Sequence, residues 1–457
     1  MDRTSQLESL ILAGKRAHLV GIGGVSMSPL ASVLTKFVPI SGSDIRESSV
    51  IDELRSKGID IRIGHAAENA AGADFLIRTA AAREDNPEIK YARENGIPVF
   101  ERAEAWGVIM RKYKNALCIS GTHGKTTTTS MATHILMAAK SDPTVMIGGT
   151  LPLIQAGHRV GGGDTIILES CEYYDSFLSF FPTVAVILDV DADHLDYFKD
   201  LDAIKASFRR FASLVPADRG AVIYNIDDEN TVDSVKGLDR RLISFGLGEN
   251  ALIRALNIHQ NGVVSEFDII ADEILYSHVS LHVPGIHNVK NALAAAASAW
   301  VLGIDGEAVS RGLSTFGGAE RRFQFKGKVN GALVYDDYAH HPHELKALID
   351  AVLPLRQNRV IIAFQPHTYT RTKALFSDFV KELSRCDKVF LAEIYAAREQ
   401  NTIGISSADL QKEVPGSVFC PTFSELAEAL KKEARPGDII LTVGAGDIYT
   451  VGEMIVE

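Results

Sequence analysis

The sequence of 457 residues predicts an α/β protein of three consecutive domains. The first is Rossmann-like, the second is built around a phosphate-binding loop, and the third is again Rossmann-like. Three observations carry this expectation. Short β-type apolar runs alternate with helical patterns along most of the chain, which implies parallel sheets with helical crossovers. Two glycine loops each follow an apolar run and open a helical pattern, as phosphate-binding loops do. Residues 251–284 instead read as several alternating strands, the mark of a small antiparallel insertion. Boundaries are expected near 104 and 319, giving domains 1–104, 105–319 and 320–457.

In the first domain, His18-Leu19-Val20-Gly21-Ile22 is a strand that ends at glycines. Residues 27–36 read as a helix, residues 37–40 as β-like, and 59–63, 75–79 and 97–100 as further short strands. In the second, strands are expected at 116–119, 165–169, 184–190 and 221–224, and helices at 127–140 and 288–302. The pattern breaks at Phe316-Gly317-Gly318-Ala319-Glu320 and restarts with strands at 333–335, 360–364, 389–392 and 439–443.

Composition narrows the function. A hydrophobic content of 46% with 23% charged residues is that of an ordinary globular protein. The net charge of −11, with no Lys/Arg run, argues against a general nucleic-acid binder. Cys118, Cys171, Cys386 and Cys420 lie far apart, so neither a disulfide framework nor a zinc ribbon is expected, and most should be buried thiols. The N-terminus lacks a signal-peptide layout, and the longest apolar run, near 291–303, is too short to cross a bilayer. A cytoplasmic protein without a membrane span is expected, as a monomer or weak homodimer.

The strongest motif is Ser120-Gly121-Thr122-His123-Gly124-Lys125-Thr126-Thr127. Backbone N–H groups and a helix N-terminus can face phosphate there, Lys125 can reach β/γ oxygens, and a Thr hydroxyl can ligate Mg²⁺. The strict P-loop spacing fails at Ile119, leaving the shorter form G-x-x-G-K-T. ATP is the expected ligand, and the second domain is expected to be of P-loop ATPase type. The earlier loop, Gly21-Ile22-Gly23-Gly24-Val25-Ser26, has Asp44 following 23 residues after Gly21, which resembles a dinucleotide fingerprint. Ser26 stands where the third glycine belongs, so NAD, another nucleotide diphosphate and a structural turn all stay open.

Glu172, after the run 165–169, and the segment Asp189-Val190-Asp191-Ala192-Asp193-His194-Leu195-Asp196 could hold Mg²⁺ opposite the loop. A solvated acidic turn is the plainer alternative, and spacing does not separate Asp191, Asp193 and Asp196. Asn288 or Asn291, at the start of the helix after Gly285-Ile286-His287, could cap it or read an adenine. Asp336-Asp337-Tyr338-Ala339-His340-His341-Pro342 suggests metal or substrate binding, with zinc disfavoured because neighbouring histidines point apart. Arg371, in Gln365-Pro366-His367-Thr368-Tyr369-Thr370-Arg371-Thr372, is the natural partner for a carboxylate. His134 lies in an apolar helical pattern and reads as a core residue.

Taken in order, these segments resemble the Mur ligase family, which adds amino acids to peptidoglycan precursors, over nearly the whole chain. Arg321-Arg322-Phe323 joins the blocks that carry the likeness. The blocks Asp337–Pro342 and Phe364–Thr372 (residues 337–342 and 364–372) resemble most closely the branch that adds L-alanine to UDP-N-acetylmuramic acid. The resemblance implies that ATP phosphorylates the lactyl carboxylate and that the alanine amine attacks the acyl phosphate, giving an amide, ADP and phosphate. It implies ATP binding by Gly121, Thr122, Gly124, Lys125, Thr126, Thr127, Asn291, Arg322 and Asp337. Thr126, Glu172 and His194 would serve Mg²⁺, and Tyr338, His340 and Arg371 the incoming amino acid and acyl group. Gly21, Gly23, Gly24, Asp44 and His65 would hold the UDP-sugar. Lys125, His194, His340 and Arg371 are the residues expected to be catalytic. The chain departs from the family pattern at Ser26, Pro29, Asp189-Val190-Asp191, Cys171, Tyr173-Tyr174 and His343. The alternatives are a recycling ligase that joins a whole peptide to the same sugar, a folylpolyglutamate-type ligase, an NAD-dependent oxidoreductase, and a non-catalytic nucleotide-binding protein.

Overall fold

A computed structural model describes residues 2–79, 81–194, 197–397 and 399–456. Strands β1 (Ala17–Val20), β2 (Ile40–Asp44), β3 (Asp60–Ile63), β4 (Phe75–Arg78) and β5 (Val99–Glu101) form a five-stranded sheet in the order β3-β2-β1-β4-β5. Every neighbour pair is parallel. All four residues of β1 are buried, as a strand covered on both faces requires.

The β-like run expected at 37–40 is displaced. Phe37 and Val38 instead close the end of the helix Met27–Leu34, both donating backbone N–H groups to the Leu34 carbonyl. Pro39 has no N–H for a ladder, so pairing begins at Ile40. The strand that follows, Ile-Ser-Gly-Ser-Asp, is too polar to announce itself. Gly42 is needed there because a Cβ would lie 2.6 Å from Ile22 Cδ1.

The central strands are β6 (Asn115–Ser120), β7 (Thr144–Leu151), β8 (Ala156–Arg159), β9 (Thr165–Glu169), β10 (Val184–Ile187), β11 (Ala221–Asn225), β12 (Leu242–Gly246), β13 (Ile253–Asn261), β14 (Val264–Ala271) and β15 (Ile274–Leu281). Their order is β15-β14-β13-β12-β11-β10-β6-β9-β7-β8. From β7 to β13 the neighbours are parallel, while β8 runs antiparallel to β7. The expected departure from alternation at 251–284 is the three consecutive strands β13, β14 and β15.

The last sheet contains β16 (Gln324–Val329), β17 (Ala332–Asp337), β18 (Val360–Phe364), β19 (Lys388–Leu391), β20 (Val418–Phe419) and β21 (Ile439–Val443). Its order is β16-β17-β21-β18-β19-β20, parallel except for β16. Alternate residues serve two cores: Val334, Ile361 and Ile440 pack on one, and Ile362, Leu391 and Leu441 on the other.

The chain forms two compact units, one of residues 1–255, 269–277 and 291–312, the other of 256–268, 278–290 and 313–457. Position 104 falls within the helix Arg102–Met110, and position 319 between the helix Gly306–Ser314 and β16. All four cysteines are free thiols: Cys118 and Cys420 are buried, Cys386 is half-buried and Cys171 is exposed. Among the described residues no helix is long and apolar enough to cross a membrane.

Candidate active site

In the first unit, β6 delivers the chain to Gly121, and the helix Lys125–Ala138 begins as the loop ends. Gly124 takes the left-handed conformation, with φ of 78°. A Cβ on Gly124 would lie 2.6 Å from Asn291 Oδ1, so glycine is required by conformation and by space. Thr122 N–H donates to the Asp189 carbonyl, and His123 N–H to Asp189 Oδ1 at 2.8 Å. Asp191 N–H returns a bond of 2.9 Å to Thr122 Oγ1. The acidic segment after β10 therefore braces the glycine loop.

Lys125 Nζ donates to the carbonyls of Gly121 and Thr122 and lies 3.1 Å from Glu172 Oε2. Burial opposes the charge on this ammonium, but Glu172, with Cys171 and Glu169 adding to it, pulls its pKa above the ordinary lysine range. Thr126 Oγ1 donates to Glu169 Oε1 at 3.0 Å, and Gly148 N–H to the other oxygen at 2.7 Å. Glu169 was not singled out in the sequence, because as the last residue of an apolar run it reads only as a strand end. Thr128 Oγ1 bonds Asn291 Oδ1 at 3.2 Å, joining the loop helix to the helix Ile286–Val301.

His194 has a left-handed backbone (φ 54°), stacks on Tyr173 at 4.3 Å and sits 3.9 Å from Glu172 Oε1. Glu172 is 2% exposed. Glu172 thus lies beside both Lys125 and His194, and Glu169 beside the Thr126 hydroxyl. The oxygen-rich part of this donor set suits a hard divalent cation such as Mg²⁺. Leu195 and Asp196 lie outside the described residues. Burial raises the Asp189 carboxyl to about 6, with His123 and Lys125 opposing the rise. His134 is pushed down to about 4 by burial alone, as befits the core residue expected.

The glycine loop of the first sheet is equally braced. Gly21 and Ile22 donate N–H groups to the Ser43 carbonyl at 2.9 and 3.0 Å. Asp44 accepts from Gly23 N–H and from Ile45 N–H, each at 2.8 Å, so its carboxylate fixes the loop. A Cβ on Gly23 would lie 2.9 Å from Ile51 Cδ1. His65 follows Gly64, whose N–H donates to the Asp44 carbonyl.

In the second unit, β17 ends at Asp337, which is 9% exposed. Its two oxygens accept from Ala339 N–H and Phe323 N–H, each at 2.8 Å. Burial lifts its carboxyl to about 6, with the Arg322 cation opposing. Arg321 and Arg322 both face the Tyr338 ring, at 4.8 and 5.3 Å. Glu344, missed in the sequence, accepts from His340 N–H at 2.9 Å and His341 N–H at 3.2 Å, and closes the capping box of the helix Pro342–Val352. Its signal was legible: a glutamate three residues after His341, with Pro342 at the first helical position. The His340 ring stands 5.6 Å from both Tyr338 and His367, and Arg371 Nη1 donates to His367 Nδ1 at 3.1 Å. Tyr338, His340, His367 and Arg371 thus form one cluster at the ends of β17 and β18.

A braced glycine loop with a lysine thus lies in one unit, and a His/Arg cluster in the other. Three family profiles match in sequence order: "Mur ligase family, catalytic domain" over 16–114, "Mur ligase middle domain" over 119–299 and "Mur ligase, glutamate ligase domain" over 321–446. The chain belongs to the Mur ligase family. Its curated relatives include UDP-N-acetylmuramate–L-alanine ligases. That of Caldanaerobacter subterraneus subsp. tengcongensis is 46% identical, over 97% of either chain. That of Clostridium tetani is 45% identical, over 97% of this chain and 98% of its own. Among solved structures, the UDP-N-acetylmuramate-alanine ligase of Thermotoga maritima superposes with a TM-score of 0.78 at 28% identity, over 96% of this chain and 98% of its own. The murein peptide ligase of Psychrobacter arcticus shares the fold, with a TM-score of 0.69 at 22% identity, over 97% and 98%.

Proposed function

We propose that this protein is an ATP-dependent amide-forming ligase that joins L-alanine to the lactyl carboxylate of UDP-N-acetylmuramic acid. The observation that carries the reading is the full-length likeness to L-alanine ligases, at 46% identity. The braced Lys125 supports it chemically.

Lys125, fully charged beside Glu172, sits at the mouth of the glycine loop. It would neutralise charge on the phosphoryl group as the substrate carboxylate takes it from ATP, and electrostatic stabilisation of that kind supplies most phosphoryl-transfer catalysis. Mg²⁺ would be held by Thr126, Glu172 and His194, with Glu169 beside Thr126, and when bound supplies charge neutralisation and orientation. Gly121, Thr122, Gly124 and Thr127 would cradle the phosphates, and Asn291, Arg322 and Asp337 would hold the rest of ATP. Arg371 would pair with the alanine carboxylate through its fork, while His340 and Tyr338 flank the amine and acyl group. Gly21, Gly23, Gly24, Asp44 and His65 would hold the UDP-sugar. The reaction forms a P–O bond to the carboxylate as the β–γ bridge breaks. The alanine nitrogen then forms the C–N bond, phosphate leaves with the acyl oxygen, and the ammonium sheds its protons.

The acyl phosphate is tested with substrate carrying ¹⁸O in the lactyl carboxylate. Wild type should deliver one labelled oxygen into the released phosphate. Lys125→Ala should slow that release by about a hundredfold or more. Unlabelled phosphate would exclude the acyl-phosphate route.

A further inference from the structure

In the first unit, one carboxylate outside the phosphate loops gathers four side chains. Glu88, on the helix Pro87–Glu94, has no exposed surface. Its Oε1 accepts from Asn69 Nδ2 at 2.7 Å. Its Oε2 accepts from Ser43 Oγ at 2.6 Å, with His65 Nδ1 at 3.3 Å and His18 Nε2 at 3.6 Å. A buried carboxylate is costly unless every lone pair is engaged, so such a convergence is a fixed arrangement. Burial works against its charge, but the nearby His18 imidazole and the bonds from Ser43 and Asn69 outweigh that and hold the carboxyl below the usual range. Glu88 is therefore an anion, which can only accept hydrogen bonds.

That sign fixes the hydrogens around it. Ser43 has one hydroxyl hydrogen and gives it to Glu88. His65 Nδ1 lies 3.1 Å from the Ser43 oxygen and 3.3 Å from Glu88 Oε2. Both neighbours are committed as acceptors, so Nδ1 must carry the proton. In the neutral ring Nε2 is then bare and accepts. Among the described residues no hydrogen bond engages Nε2, and the side chain keeps 18% of its surface exposed.

His65 stands two residues past β3, at the carboxyl edge of the parallel sheet, where nucleotides bind in such folds. The same Ser43 that bonds Glu88 through its hydroxyl holds the Gly21–Ile22 turn through its carbonyl. We propose that Glu88 is a positioning residue that locks His65 as the Nδ1–H tautomer, so that Nε2 accepts a hydrogen bond from the nucleobase and selects uracil. This rests on the UDP-sugar reading above. Uracil offers an N3–H donor between two carbonyls. Cytosine offers a lone pair at the same atom, which would oppose the Nε2 lone pair.

The test has two parts. Long-range ¹H–¹⁵N correlation of the His65 ring in the ligand-free protein should show the proton on Nδ1. In Glu88→Gln, whose amide can donate, the proton should move toward Nε2. The turnover experiment compares UDP-N-acetylmuramic acid with its CDP counterpart. Glu88→Gln should raise KM for the UDP-sugar about tenfold and reduce uracil-over-cytosine discrimination by a similar factor, leaving kcat and the KM values for ATP and L-alanine unchanged. A wild-type ring protonated at Nε2, or undiminished discrimination in Glu88→Gln, would overturn the lock. If wild type fails to turn over the UDP-sugar at all, the functional reading falls, and the tautomer of the ligand-free protein still supports or overturns the role of Glu88.

Discussion

Arg371 is held by its neighbours. Its guanidinium donates to His367 Nδ1, and the His367 ring lies 5.6 Å from Tyr395 in a stacked geometry. Thr370 is anchored to Glu399 through its N–H at 3.0 Å and through its hydroxyl. A cation so oriented suits bidentate binding of a small carboxylate, which lysine would not reproduce. Arg371→Lys should therefore raise KM for L-alanine by about tenfold or more, with KM for ATP little changed. Steady-state kinetics with each substrate varied decides it, and an unchanged alanine KM would remove Arg371 from the amino-acid site. At this scale the sequence was most informative where several residue types stood together, as in Gly124-Lys125-Thr126. It was silent on two acids that no motif surrounds. Glu169 and Glu88 gain meaning only from partners far away in the chain, Thr126 and Gly148 for one, Ser43 and His65 for the other.

The element that matters most is the turn between β6 and the helix Lys125–Ala138. Gly121 has φ of 144° and Gly124 φ of 78°, both outside the range of most side chains. Gly124→Ala forces strain of about 1 kcal/mol from the left-handed conformation alone. It also drives a methyl toward Asn291 Oδ1. The variant should melt several degrees lower and show a raised KM for ATP, both measurable on one preparation by thermal unfolding and kinetics. A variant equal to wild type in both would mean the turn relaxes freely. The alternation of apolar runs and glycine turns made such elements readable in advance. Strand β2 escaped because Ser41, Gly42 and Ser43 carry no β-pattern; parallel pairing and Gly42's close approach to Ile22 hold it instead. Strands β7 and β8 escaped similarly, their Gly148-Gly149 and Gly157 interrupting any apolar run.

On the scale of the whole molecule, buried acids tie stability to pH. The Asp337 carboxyl sits at about 6 when folded, above the ordinary aspartate value near 3.8. Between those values the folded protein binds more protons at this site than the unfolded chain. Its contribution therefore favours folding below the unfolded pKa and is withdrawn as pH rises through the folded one. Ligand-free wild type should lose more stability between pH 4.5 and 7 than Asp337→Asn, a comparison that cancels other groups (the pH limits are approximate bounds on the titration window). Equal losses of unfolding free energy in the two proteins, measured by urea unfolding at the two pH values, would show that Asp337 titrates normally.

The global architecture was more legible than any single contact. Alternating strand and helix patterns specify parallel sheets, and the consecutive strands at 253–281 announce their own exception. What the linear pattern lacks is long-range pairing: β21 lies between β17 and β18, a neighbourhood created by more than seventy residues of intervening chain.

The ligase assignment is tested most directly by phosphate release with Mg-ATP, UDP-N-acetylmuramic acid and L-alanine, each omitted in turn. Release that requires all three, with a product heavier by one alanine residue, is the predicted result. Release without L-alanine but only with a stem tripeptide, or no release with either, would contradict it.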